Sequence, residues 1–155
     1  MSFQIARVRN REDLETVVTL FRAYADSLDV DLCFQNFAEE LAAMPGKYAP
    51  PLGDLWLAKQ GSKAIGCAAL RPLQDRICEI KRLYVTPEGR GLGLGKALVG
   101  EVLNAASEIG YSEIRLDTLP TMHAAISLYR ACGFEIIPAY YDTPVTGTVF
   151  MRRRL

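Results

Sequence analysis

The stretch GRGLGLGKAL, residues 89–98, sets Arg90 ahead of Gly91, Gly93 and Gly95 and runs directly into a helix-forming segment. The first turn of a helix carries unpaired N–H groups and about half a positive charge, and glycine lets an anion approach the backbone without a Cβ in the way. A phosphate fits such a loop. The spacing is not that of the common nucleotide loops. A Walker motif needs Gly at 90 and Ser or Thr at 97, where Arg90 and Ala97 stand, and GxGxxG fails in every register. The alternative is a flexible turn packed on a sheet, but closely spaced glycines at a helix start cost entropy that packing alone seldom demands.

The chain that must position this loop has 155 residues, half of them hydrophobic, with 18 basic and 18 acidic side chains. That size predicts one domain over 1–155 burying about 70% of its unfolded surface. Equal charges create no global field to recruit nucleic acid or a membrane, so neither is expected as a partner and any anion must be bound locally. The start, MSFQIARVRN, lacks the apolar core of a signal peptide, and no run approaches the roughly 18 apolar residues of a membrane span. A cytoplasmic protein is expected. Cys33, Cys67, Cys78 and Cys132 are scattered, with no CxxC pair and no His-rich cluster, so reduced thiols and no metal site are expected.

Residues 3–9, FQIARVR, alternate and read as a strand. Asn10 offers an N-cap with Asp13 at N3, and Leu14, Val17, Val18, Phe21, Tyr24, Ala25 and Leu28 then form one apolar stripe at helical spacing. A shorter helix is expected over 34–44, followed by the Pro-rich loop PGKYAPPLG. LWLAKQGSKAIGCAALRPL reads as a hairpin about Gln60-Gly61-Ser62, and a third antiparallel strand is expected over 76–85. The glycine loop ends that strand and opens a long helix. Its Leu94, Leu98, Val102, Ala105 and Ile109 face inward, Glu101, Asn104 and Glu108 face outward, and Gly110 stops it. SEIRLDT is a strand, a helix runs from Pro120 through Ala131, and FEIIPAY and residues 146–155 are closing strands. Hairpins outnumber crossover helices, which predicts an α/β fold with a mixed, mostly antiparallel sheet of about seven strands flanked by about four helices. A doubly wound nucleotide fold is excluded.

The strand CEIKRLYV breaks simple alternation, because Glu79, Lys81 and Arg82 are polar while Ile80, Leu83, Tyr84 and Val85 are apolar. A bulge near Arg82 or Leu83 explains the break, and a bulge re-aims backbone groups, freeing an N–H to face a developing oxyanion. An edge strand with a solvated polar face is the alternative.

These residues carry a resemblance. Arg90-Gly91-Leu92-Gly93-Leu94-Gly95 resembles the (Arg/Gln)-x-x-Gly-x-(Gly/Ala) motif of the GNAT superfamily of N-acetyltransferases. CEIKRLYV is similar to that family's fourth strand, AAISLYRACGF at 124–134 to its later motif ending in LYxxxGF, and the element order is similar over nearly the whole chain. The resemblance implies the GNAT fold and acetyl-CoA as cosubstrate, with no metal. It implies that the backbone of Arg90, Gly91, Leu92, Gly93, Leu94 and Gly95 holds the pyrophosphate, with Lys96 adding charge. The pantetheine arm would then run beside Leu83, Tyr84 and Val85, as a peptide pairs with a sheet edge. One departure matters: Met122 stands where many relatives carry Asn, so a side-chain hydrogen bond often made to the coenzyme is missing.

Acetyl transfer needs a neutral amine, a stabilised tetrahedral oxyanion and a proton for the departing thiolate. Tyr129 of LYxxxGF is the proton donor that the resemblance implies. A tyrosine pKa near 10 lies about 1.5 units above a thiol's, so donation is uphill by about 2 kcal/mol. A core tyrosine beside Met122, Ala125 and Cys132 is the alternative. Glu79, four residues ahead of Leu83, resembles the general base of several family members. A carboxylate of pKa about 4.3 is a weak base unless burial raises it or water relays the proton, and Glu79 is otherwise a partner for Lys81 or a surface cation. His123, the single histidine, falls on a polar helix face with Ser127 and Arg130 and is set aside, and Arg152, Arg153 and Arg154 read as a solvated strand end.

On the acceptor side the candidates are Tyr24, Arg82, Tyr141 and Asp142. The run Tyr140-Tyr141-Asp142-Thr143-Pro144 either closes over an amine or forms a structural turn. Lys81 and Arg82 leave room for a substrate carboxylate or phosphate, or pair internally. The expected enzyme acetylates a primary amine of a small or amino-acid-like molecule by direct attack in a ternary complex, as a monomer or homodimer. A non-catalytic acyl-CoA sensor and a protein or peptide N-acetyltransferase are the alternatives.

Overall fold

The side chain of Asn10 accepts the N–H of Asp13 at 2.8 Å, satisfying one of the orphan donors that open helix α1 (Arg11–Asp26). The structure, a computed structural model, describes residues 2–28, 31–32 and 36–155. Strand β1 (Gln4–Arg7) precedes α1, and α2 (Phe37–Ala42) follows it. Phe34, at the expected start of the second helix, and Cys33 lie outside the described residues. Strands β2 (Asp54–Gln60), β3 (Lys63–Gln74) and β4 (Ile77–Val85) form a meander, and Gln60 pairs with Lys63 so that Gly61-Ser62 is the expected turn. Helix α3 (Leu94–Ile109), β5 (Glu113–Thr118), α4 (His123–Ala131), β6 (Glu135–Ile137) and β7 (Val149–Arg154) complete the order.

The seven strands lie in the order β1-β2-β3-β4-β5-β7-β6, and every described neighbour pair is antiparallel except β4 with β5. Strand alternation builds two cores. Leu55, Leu57, Cys67 and Ala69 face Val17, Leu20 and Phe21 of α1, while Trp56, Ala58, Ala68 and Leu70 face Leu94, Leu98, Val99 and Val102 of α3. Helices therefore cover both faces of the central strands, which is why LWLA and CAAL are apolar without a break.

Two expectations are corrected. The strands are shorter than expected at both ends of the chain, since pairing starts at Gln4 and the last strand at Val149. Of the three arginines near the C-terminus only Arg154 is exposed as expected: Arg152 meets Glu135 at 2.9 Å and Glu113 at 3.4 Å, and Arg153 donates to the Cys132 carbonyl at 2.9 Å. The partners of Arg152 and Arg153 come from β5, β6 and the residue that ends α4, which no local reading of the run supplies.

Asn10→Ala leaves the Asp13 N–H without its acceptor. It lowers unfolding stability by about 1 kcal/mol in urea titrations, with an unchanged slope.

Candidate active site

Strand β4 decides the geometry. Cys67 pairs with Tyr84 and Ala69 with Lys81, so Arg82 and Leu83 together oppose Ala68, which is a bulge at the expected place. Arg82 takes the left-handed backbone, φ 59°, that few non-glycine residues adopt. On the other side, β4 pairs with β5 only through Ile77, Cys78 and Glu79, opposite Glu113, Ile114 and Arg115. From Ile80 onward the two parallel strands part. Leu83, Tyr84 and Val85 follow on β4, each half-buried, and Leu83 lines a cavity there.

At the end of that opening lies the glycine loop. Thr86 pins its start by accepting the Gly89 N–H and donating its own N–H to the Ile65 carbonyl at 2.9 Å. Helix α3 begins at Gly93 with no side-chain cap, and among the described residues no acceptor takes the N–H of Gly91, Leu92, Gly93, Leu94, Gly95 or Lys96. Gly91 and Gly93 have φ of 80° and 75°, and a Cβ at either would meet nothing within 4 Å. A row of unfilled donors around open space is what an anion needs.

The roles within the loop divide more finely than expected. The Leu94 side chain is buried in the core and touches the space above Gly66, and Gly95 is small because a Cβ there would lie 3.0 Å from Leu128 of α4. Packing therefore explains both of these side-chain choices, and only their amides face the opening. Arg90 and Lys96 are exposed.

Two cavities meet on β4. The first is lined by Tyr24, Ile80, Leu83, Asp117, Met122 and Tyr129, and the second by Arg71, Glu79, Arg115, Tyr140 and Tyr141, while Lys81 and Arg82 line both. Tyr129 is buried with its ring 5.6 Å from Phe134, and among the described residues nothing hydrogen-bonds its hydroxyl. Burial pushes its pKa well above the usual tyrosine value. Tyr24 packs edge-on against Tyr84 at 6.1 Å, and burial raises its pKa too. It thus stands with Tyr129 rather than at the second cavity.

Glu79 is 2% exposed, and both carboxylate oxygens are held: Arg71 Nε donates to Oε1 at 2.9 Å and the Tyr140 hydroxyl donates to Oε2 at 2.5 Å. Burial, then the charge of Glu79, keeps the Tyr140 hydroxyl protonated far above its usual range. Tyr141 donates to Asp117, which also lies 3.6 Å from Lys81. Arg82 turns away from a ligand: its guanidinium forms a two-point pair with Glu40 of α2, at 2.9 and 3.0 Å, over the Phe37 ring. Burial alone would lower its pKa, but Glu40 raises it. The internal pairing considered for Lys81 and Arg82 is therefore what forms. Asp142 is exposed and lines neither cavity.

Arg71, Arg115 and Asp117 complete the site although sequence reasoning did not single them out, and Tyr140 was read only as part of the run that closes over an amine. The alternation of SEIRLDT puts Arg115 and Asp117 on one face and was a usable signal. Arg71 had none, because its place opposite Glu79 depends on a second bulge between Pro72 and Gln74.

A parted parallel strand pair beside an uncapped glycine-rich helix start is the arrangement that the GNAT resemblance implies, and comparison with known proteins supports that family. The sequence pattern of the acetyltransferase (GNAT) family matches residues 15–134. An uncharacterized N-acetyltransferase of Schizosaccharomyces pombe is 40% identical over 97% of this chain and 94% of its own length. Among solved structures, a GNAT-family acetyltransferase of Staphylococcus aureus superimposes with a TM-score of 0.80 at 22% identity, over 99% of both chains. An N-acetyltransferase of Thermoplasma acidophilum solved with coenzyme A gives 0.75 at 23% identity, over 100% of both. The chain belongs to the GNAT acetyltransferase family. It is an acetyl-CoA-dependent N-acetyltransferase.

Gly93→Val fills the open space with a branched side chain at a positive φ. Affinity for coenzyme A falls tenfold or more in calorimetry, about 1.4 kcal/mol and upward; an unchanged affinity in a folded variant removes the loop from the coenzyme site.

Proposed function

We propose that this enzyme acetylates the primary amine of a small, amino-acid-like acceptor by direct attack within a ternary complex. The observation that carries this reading is the meeting of two cavities at Lys81 and Arg82, with Tyr129 in one and the Tyr140–Glu79 pair in the other. The coenzyme supplies a thioester whose carbonyl carbon is open to attack. The free amides from Gly91 to Lys96 suit its pyrophosphate, and the unpaired edge of β4 at Leu83, Tyr84 and Val85 suits its amide-bearing arm.

In the second cavity the Tyr140 oxygen can accept a proton from the amine while its own proton passes to Glu79 Oε2. Because burial and the Glu79 charge disfavour a free phenolate, these two transfers are concerted. Arg71 holds the other Glu79 oxygen and keeps the carboxylate aimed. In the first cavity the Tyr129 hydroxyl would protonate the leaving sulfur, a role supported by its lack of any other partner among the described residues. Burial raises its pKa, so the hydroxyl keeps its proton until a base as strong as a thiolate forms beside it.

Acetylation of a panel of small amines, followed by coenzyme release, tests the reading directly. A protein that binds coenzyme and releases none under any amine is a sensor instead, and one active only on peptides is a protein acetyltransferase.

Tyr129→Phe retains coenzyme affinity and lowers turnover about 10²-fold where chemistry limits the rate. Both site tyrosines have pKa values raised above the usual 10, so each stays protonated as pH climbs from 6 to 10 and neither produces an alkaline loss of rate. In the wild type kcat/KM rises as the acceptor amine deprotonates and then holds level. Glu79→Gln lowers it about 10²-fold near neutral pH and recovers partly at high pH, where free amine is abundant. A wild-type rate and profile in that variant excludes Glu79 as the proton's destination.

A further inference from the structure

Strand register places Glu79 between two arginines. Arg71 of β3 lies directly opposite it on one side and Arg115 of β5 on the other, so the three side chains share one face of the sheet. Each arginine is anchored through Nε alone, Arg71 to Glu79 at 2.9 Å and Arg115 to Glu113 at 2.6 Å. Among the described residues no acceptor takes the terminal nitrogens of either. Arg115 is further fixed by stacking 5.2 Å above the Tyr140 ring, and the side chains are 25% and 19% exposed, both on the wall of the second cavity.

The unfilled hydrogen-bonding capacity of these two side chains is therefore donor capacity, arranged as two planar forks about 10 Å apart at the backbone. Planar N–H forks match carboxylates, which accept two parallel hydrogen bonds from each. The cavity is also balanced in charge once the partners of its cations are counted: Arg71 has Glu79, Lys81 has Asp117, Arg82 has Glu40 and Arg115 has Glu113. A balanced but segregated wall suits a zwitterion better than a dianion or a polycation, each of which would leave net charge out of water.

We infer that Arg71 and Arg115 form a carboxylate subsite, so that the acceptor is an amine bearing a carboxylate, an amino acid or a close analogue. The inference rests on the reading of this cavity as the acceptor side. The carboxylate sits between the two forks, and the amine faces the Tyr140 hydroxyl that rests on Glu79 Oε2. Arg115 is the residue to vary, since Arg71 also holds Glu79.

The test compares matched acceptors, α-, β- and γ-amino acids against their amides, together with aliphatic diamines. In the wild type the carboxylate-bearing member of each productive pair has a kcat/KM at least tenfold above its amide. Arg115→Gln removes most of that preference through KM, and Arg115→Lys restores only part of it because an ammonium is not a fork. Equal rates for acids and amides, a preference for diamines, or a preference that survives Arg115→Gln in a protein with wild-type circular dichroism would overturn the subsite. Coenzyme release with amides or diamines as fast as with the acids, or faster, would do so while leaving acetyl transfer standing. If coenzyme binds but no amine is acetylated, both readings fail together. The comparison within the wild type needs no variant to fold.

Discussion

Three paired residues hold β4 to β5, and the site depends on the point at which that pairing stops. A parallel pair that continued past Glu79 would satisfy the β4 edge internally and leave no channel between the strands. The bulge at Arg82 and Leu83 changes the direction of β4 just beyond that point. Its left-handed residue costs on the order of 1–2 kcal/mol for a side chain with a Cβ. The surroundings over-determine it: Arg82 is buried, locked to Glu40 on α2 and stacked on Phe37, and its carbonyl accepts the Cys67 thiol. The same pair that fixes the bulge ties α2 to the sheet.

Around this opening the protein leaves selected hydrogen-bonding groups unfilled. Helix α1 has a side-chain cap at its start, whereas α3 has none at Gly93 and presents its first amides outward. Met122 at the start of α4 likewise provides no cap. The amides of the α3 start face open space, and these are the donors that the proposed pyrophosphate site uses. The cavity lined by Arg71, Glu79, Arg115 and Tyr140 also leaves side-chain donors unfilled. Its carboxylates are engaged, while the forks of Arg71 and Arg115 retain free N–H groups.

Tyr140 joins the two halves of the cavity. Its hydroxyl rests on Glu79, its ring lies beneath Arg115, and Tyr141 and Phe150 pack on its edges at 5.6 and 5.1 Å. The loop before β7 is thereby clamped onto the charged row at its closed end. An aromatic residue suits this position because it supplies a rigid apolar body with a single polar tip.

What the residues determined alone are the features governed by local rules. The Asn10 cap, the Gly61-Ser62 turn, the apolar stripe of α3, the Gly110 stop and the glycine loop all depend on neighbours within a few positions, and each lies where the pattern put it. The broken alternation of CEIKRLYV disclosed the bulge for the same reason. Tertiary structure decided which partners the polar residues found. A hairpin counted inward from Gln74 and Ile77 sets Pro72 opposite Glu79; the irregularity at Leu73 moves Arg71 there instead. Arg82, equally suited in sequence to a substrate anion, was claimed by Glu40, 42 residues away, and Asp142 was left in solvent while Tyr140 took Glu79 from 61 residues away. Charge pairs carry no periodicity, and a single inserted residue in a strand exchanges every partner beyond it. Such contacts exist only once the strands are in register.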